Sequence, residues 1–402
     1  MSLILPPTDL PIDKILPDEP LLLMGAGPVP VSQKVASANS VVINHLGETM
    51  NQVIERVRLM SQYVFQTQSQ HIIGVAGPGS AAMEMAITNL VWPGRKVLCI
   101  NNGFFSARLA EMAQRVGGEV QEYKLPEGLA AAPEHVEKLL KEGNFDVLTI
   151  VQGETSNTVW NRDLETITKL ARQYNVLSIV DAVCTLSTMP LNMDEWQVDV
   201  VITGGQKGLA SIPGVSLIAF SDNVWPLITG RTAPMPHWCL DVRLALKFWE
   251  EKGYHYTAPV SGILALHEAL RQVCLETLEK RFERHLVCSR GLQSAIMAMG
   301  LELFVPANSR LNSVVGITLP KGVDGKQVLK TMSDLYKVEI SGSFGLPIVR
   351  IGQMGEQSRA HNLYRTLHAL GMGMKSAGAK VNLPEGMAAL EQALDVNENL
   401  TA

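Results

Sequence analysis

Cysteine is scarce in this sequence, and the five present are scattered and odd in number. Cys99, Cys184, Cys239, Cys274 and Cys288 form no CxxC pair. The pattern argues against a disulfide scaffold and for a reducing compartment, with the cytoplasm as the expected location. His237 lies near Cys239 but has no further ligands at metal spacing, so no metal site is expected. Basic blocks are missing too. With a net charge of −5, this argues against nucleic acid or an anionic membrane surface as a partner. Apolar runs are strand-sized, so no membrane span is expected. The N-terminus carries Asp9, Asp13 and several prolines, without the charged-then-apolar pattern of a signal peptide. The final Asn399-Leu400-Thr401-Ala402 is not a peroxisomal address.

What is present describes an enzyme-sized globular chain. With 402 residues, 46% hydrophobic and 18% charged, one large and one smaller domain are expected. The reading divides the chain into an extended arm (1–20), a large α/β domain (21–260), and a linking helix with a small α+β domain (261–402).

One stretch organises the rest. Asp199-Val200-Val201-Ile202-Thr203-Gly204-Gly205-Gln206-Lys207-Gly208 runs from branched apolar residues into small ones, with a single lysine at the turn. A buried strand ending near Thr203 places Lys207 at its carboxyl edge. An amine there pays desolvation unless paired or chemically used, and desolvation lowers its pKa, as a Schiff-base lysine requires. An ordinary strand-end lysine remains the other reading. Upstream, Val176-Leu177-Ser178-Ile179-Val180-Asp181 closes a second apolar run on an acid. A cap or structural ion pair would also explain Asp181. Acid and lysine at the ends of neighbouring strands together match pyridoxal phosphate, whose ring nitrogen needs an acid and whose aldehyde needs an amine.

Around these two, strands and helices alternate. Strands are expected at 97–101, 119–123, 147–151, 176–181 and 215–220, with helices at 106–116, 133–142 and 164–174. A mostly parallel sheet covered on both faces follows, with the site at the carboxyl ends of its strands. Val75-Ala76-Gly77-Pro78-Gly79-Ser80 is a turn opening onto a helix start, an arrangement that binds phosphates but is also an ordinary helix beginning. A long helical region is expected to run to about Gly300. Arg350 sits in an apolar strand, either in a structural salt bridge or as a bidentate clamp for a substrate carboxylate.

The segments LLLMGAGPVP, YVFQT, NGFF, QGETS, IVDAV, TGGQKGLASIPG, YHYTAPV and VRIGQMG occur in this order from about Leu22 to beyond Gly352. The set resembles the class V, fold type I pyridoxal-phosphate aminotransferases, most closely the alanine–glyoxylate / serine–pyruvate family. The resemblance implies a large domain with a mostly parallel seven-stranded sheet, a small C-terminal α+β domain, and a homodimer with composite sites. Lys207 would carry the cofactor's Schiff base and shuttle the proton, and Asp181 would pair with the ring nitrogen. Phe105 would stack on the ring where a tryptophan is usual, and Thr155 would bond its phenolate side. Gly79, Ser80 and Gln206 would hold the phosphate, with Tyr254 and Thr257 reaching it from the partner subunit. Arg350, with the backbone at Ala26 and Gly27, would take the substrate carboxylate. Ser80 replaces a frequent histidine, and Asn157-Thr158 a common Thr-Gly.

The implied reaction moves an amino group from serine or alanine to glyoxylate or pyruvate. Ureidoglycine–glyoxylate, aspartate–glyoxylate and pyridoxamine–pyruvate transfer are the alternatives. Ureidoglycine enzymes carry asparagine where Tyr254 stands and glutamine near His45. The Ser341–Phe344 turn supplies no second cation, leaving Arg231 or His45 to meet a distal group. A cysteine desulfurase would need a cysteine after Cys288, and none occurs. A non-catalytic vitamin-B6 binder would not need Arg350.

Overall fold

The computed structural model describes residues 4–395, so the first three residues of the expected arm and the terminal Asn399–Ala402 lie outside it. Seven strands form one central sheet: β1 (Ile72–Ala76), β2 (Lys96–Asn101), β3 (Glu119–Lys124), β4 (Val147–Val151), β5 (Leu177–Asp181), β6 (Val200–Ile202) and β7 (Val215–Phe220). Their order is β1-β7-β6-β5-β4-β2-β3. The ladders from β6 to β3 are parallel, and β7 runs antiparallel to both β1 and β6. β4 is buried at all five positions, as a strand covered on both faces must be.

The longer helices are α1 (Glu48–Phe65), α2 (Gly79–Leu90), α3 (Phe104–Arg115), α4 (Pro133–Gly143), α5 (Leu164–Gln173), α6 (Val260–Glu276), α7 (Leu278–Ala298), α8 (Gly325–Tyr336), α9 (Ala360–Ser376) and α10 (Leu383–Asp395). The expected strand–helix alternation from β2 to β5 is present, with ends shifted by a residue or two. The helical region before Gly300 is instead two helices. Thr277 breaks them apart at φ 67°, and the amide of Leu278 donates to the Tyr63 hydroxyl at 2.8 Å. A β-branched residue is strained at positive φ, so nothing in the apolar spacing announces the break.

One apolar core surrounds the sheet. A second gathers Met24, Leu292, Ile317, Val349, Leu367 and Leu390 around β8 (Val314–Thr318) and β9 (Ile348–Gly352), which pair antiparallel. Leu22–Leu23 pairs parallel with Val338–Glu339, so the N-terminal segment joins this second core. A small third cluster, including Ala26, Cys184, Ala210 and Met354, fills the space beside the Lys207 turn. Among the described residues no helix is long and apolar enough to cross a membrane.

Candidate active site

The sheet register brings the two organising residues together. Val151, Asp181 and Ile202 are neighbours across β4, β5 and β6, all at strand ends. Beyond those ends lies a cleft of about 370 Å³ lined by Gly27, Gly79, Ser80, Phe105, Thr155, Asp181, Gln206 and Lys207. A second hollow, between Gly74 and Trp249, holds only about 10 Å³ and is too small for a ligand. No group of three or more metal-ligating side chains occurs among the described residues.

Lys207 sits on a turn that is fixed from behind. Its amide donates to the Gly204 carbonyl at 3.2 Å, and Gly208 accepts hydrogen bonds from Ser187 Oγ and Arg281 Nη2 at 2.8 and 2.9 Å. Arg281 is itself buried and paired with Glu276 at 2.7 Å. Burial would raise the Glu276 carboxyl, but Arg284 and Arg281 outweigh it and hold it at about 2. The ammonium Nζ of Lys207 donates to the Ala26 carbonyl. Burial pushes its pKa below 10.5; Arg350 adds to that, while Cys184 and Asp181 oppose it. Gly27 is at φ 91°, and a Cβ there would stand 2.6 Å from Nζ, so only glycine lets this backbone close on the amine.

Asp181 is 6% exposed, and one carboxylate oxygen accepts from the Val183 amide at 2.8 Å. Burial raises its pKa to about 7, with Glu154 adding to the rise and the Val183 amide and Lys207 opposing it. The amide oxygen of Gln206 is buried without a hydrogen-bond partner. Beside it begins α2, where the amides of Gly79 and Ser80 carry no hydrogen bond among the described residues and that of Ala81 donates to the Pro78 carbonyl at 2.8 Å.

Glu154 is a residue the sequence reading passed over. Its fully buried carboxylate accepts from the amides of Phe105, Ser106 and Ser156 at 3.1, 2.9 and 3.1 Å and from the Ser156 hydroxyl at 2.5 Å. It caps α3 in place of a side chain from Gly103, and so fixes the helix turn that carries Phe105.

Arg350 is buried on β9 and makes no ion pair among the described residues, which removes the salt-bridge reading. Its Nε donates to the Gly342 carbonyl at 2.7 Å and Nη1 to the Thr155 carbonyl at 2.6 Å. Burial lowers its pKa to about 10, with Glu154 opposing. Ser341, paired with Arg350 across a bridge, accepts the Ala26 amide at 3.0 Å. Arg350 is thereby tied to Thr155 and Ala26 to Lys207, two residues of the cleft lining.

Tyr254 and Thr257 lie outside this cleft. Both are exposed, and Tyr254 meets His45 edge-on at 5.9 Å. Arg231 is committed elsewhere: it donates to the carbonyls of Thr88, Ala233 and Pro234 and cannot swing toward a substrate. Arg108, unmentioned by the motifs, does line the cleft. Its spacing of three and four from Phe105 and Phe104 on a helix was the available signal.

Chemically, the cleft offers a half-buried amine of lowered pKa, a carboxyl poised near neutrality and a helix start suited to an anion, while the Arg350 guanidinium, suited to a carboxylate, is bonded to Thr155 in its wall. The aminotransferase class-V family model matches residues 31–358. Alanine–glyoxylate aminotransferase of Mus musculus is 32% identical over 92% of this chain and 91% of its own length. The crystal structure of ureidoglycine–glyoxylate aminotransferase from Bacillus subtilis superposes with a TM-score of 0.92 at 28% identity, covering 94% of this chain and 99% of that one. That of alanine–glyoxylate aminotransferase from Nostoc sp. gives 0.86 at 32% identity, covering 92% and 98%. The fold, the strand-end cleft and these likenesses agree: the chain belongs to the class V aminotransferases and is a transaminase of the alanine–glyoxylate kind of fold and sequence.

Proposed function

We propose that the chain uses pyridoxal phosphate to move an amino group from a small neutral amino acid, alanine or serine, to glyoxylate or pyruvate. The observation that carries this is a half-buried Lys207 of lowered pKa sharing one cleft with a buried Asp181 of raised pKa. The surroundings fit the cofactor. Gln206 lines the cleft with an amide group that can donate, the first two amides of α2 carry no hydrogen bond among the described residues, and Gly27 leaves room at Nζ. Bound, pyridoxal phosphate supplies an aldehyde that can carry an amino group and a ring that accepts electrons. Lys207 would hold it, and once free its Nζ would take the proton from the substrate's α-carbon. Asp181 would ion-pair with the ring nitrogen, and Phe105 and Thr155 would position the ring. Arg350 would orient the substrate carboxylate beside the Ala26–Gly27 backbone.

The three relatives named above all carry glyoxylate in their names, which supports that acceptor. A small neutral donor is favoured because Arg231 is turned away from the cleft. A ureidoglycine donor is the second reading, favoured by the superposition at TM-score 0.92. Half-reaction rates with serine, alanine, aspartate and ureidoglycine at equal concentration decide between them. Alanine or serine is expected to be fastest. A tenfold lead for aspartate or ureidoglycine, about 1.4 kcal/mol of barrier, would overturn the small-donor reading.

We further propose a homodimer in which Tyr254 and Thr257 reach the partner's phosphate site. Both are exposed and do not line the cleft of their own chain, and Ile4, Leu5, Leu10 and Ile12 stand in the open near the N-terminus. Exposed apolar side chains of this kind favour a second surface to cover them. Mixing Lys207→Ala with a Tyr254→Phe, Thr257→Ala double variant should restore measurable turnover through hybrid dimers. A fully active monomer at low concentration would contradict the arrangement.

A further inference from the structure

Arg108 is a cation of the cleft with no acidic partner among the described residues. Its guanidinium rests on an aromatic shelf, 4.7 Å from the ring centre of Phe104 and 5.0 Å from that of Phe105. The shelf is braced from the other side. Phe104 stacks on Phe344 at 4.2 Å and 9°, and beyond Phe344 lies the Arg350 guanidinium at 5.4 Å. One guanidinium thus rests on each member of a stacked phenylalanine pair, Arg108 on Phe104 and Arg350 on Phe344.

Arg108 Nη1 stands 3.5 Å from Ser80 Oγ, a contact too long to satisfy a guanidinium. Ser80 belongs to the first turn of α2, where the free amides and the helix dipole are positive. Gln206, 8% exposed, lines the same cleft and carries an amide NH2 group of the kind that donates to an anion. A guanidinium beside the positive end of a helix is unfavourable until an anion joins them. The short serine side chain leaves room for it.

We propose that Arg108 is a ligand of the cofactor's phosphate, supplying a charge-assisted contact across the first turn of α2. The inference rests on the pyridoxal-phosphate reading above and adds a residue to it. A phosphate between Arg108 and the α2 start turns a repulsive pair of positive features into an attractive triad. The aromatic shelf holds the fork in one orientation, so little side-chain freedom is lost on binding. The distal carboxylate of a dicarboxylate donor is the same chemistry from another source, and the test below separates the two.

The test compares two probes on one protein. Wild type, Arg108→Met and Arg108→Lys are titrated with pyridoxal phosphate and with pyridoxal, which lacks the phosphate, following cofactor absorbance. Arg108→Met is expected to weaken pyridoxal phosphate binding about tenfold or more, 1.4 kcal/mol, and to leave pyridoxal binding unchanged. Arg108→Lys, which keeps the charge without the planar fork, should fall between, and it serves if the methionine variant does not fold. Equal losses for both probes, or no loss for either, would overturn the assignment. So would an unchanged phosphate affinity with a selective loss of the aspartate half-reaction relative to alanine, which would place Arg108 on the donor. A wild type that binds neither probe would overturn the cofactor reading itself, and this proposal with it.

Discussion

Lys207→Ala is expected to give a folded protein that no longer shows the absorbance of a covalently held cofactor and that transaminates at least about a thousandfold more slowly. Removing the amine removes both the covalent anchor and the base at the substrate's α-carbon, so the loss should lie in kcat. Stability should not suffer. Lys207 makes no ion pair among the described residues, and its one hydrogen bond goes to the Ala26 carbonyl. Its turn is held by Arg281 and Ser187 through Gly208, not by the lysine. Burial lowers the lysine's pKa, so the folded state binds this proton less readily than the unfolded chain does. The penalty is present at neutral pH and fades only as pH rises toward 10.5. At pH 7 the cofactor-free variant should therefore melt no lower than the wild type. Purified variant protein that turned over at the wild-type rate would remove Lys207 from the chemistry.

Much of this site was legible because parallel strands leave a plain trace. Val147–Val151, Leu177–Val180 and Val200–Ile202 are apolar at nearly every position, since both faces of the sheet are covered. The runs stop at polar residues, Gln152, Asp181 and Thr203, and the chemistry-bearing side chains lie at or just after the stops. Strand direction leaves no such trace, so nothing in Val215–Phe220 marked it as the antiparallel member. Glu154 was hidden for another reason. It is adjacent in sequence to Thr155, yet the amides it caps belong to Phe105 and Ser106, which only the fold brings near. Arg108 belongs to none of the motifs, and only the fold brings Phe344 against Phe104 to complete the stack on which it lies. Arg350 was recognised as a buried cation, but its partners are carbonyls, whose positions depend on backbone geometry alone.

Asp181→Asn should separate function from stability in opposite directions. With cofactor bound, an ionised Asp181 would hold the ring nitrogen protonated. Asparagine cannot do that, so turnover is expected to fall by roughly 10²- to 10⁴-fold. Without cofactor the sign reverses. Burial raises the carboxyl from 3.8 to about 7, so the folded state keeps a proton that the unfolded chain gives up. A carboxyl of this kind supports the fold below pH 4, loses that contribution as pH rises, and is at its most costly above pH 7. Asparagine has no charge to desolvate and can still accept from the Val183 amide. The cofactor-free variant should therefore be the more stable protein at pH 8, by on the order of 2–4 kcal/mol. The advantage should shrink as pH falls through 7 toward 4. Melting temperatures of both cofactor-free proteins at pH 8, 6 and 4 measure this directly. Adding pyridoxal phosphate at pH 8 should narrow the gap from the wild-type side, because only the aspartate gains an ionic partner. A variant less stable than the wild type at pH 8, or one that kept full turnover when loaded, would show that Asp181 is a structural carboxylate rather than the acid that tunes the ring.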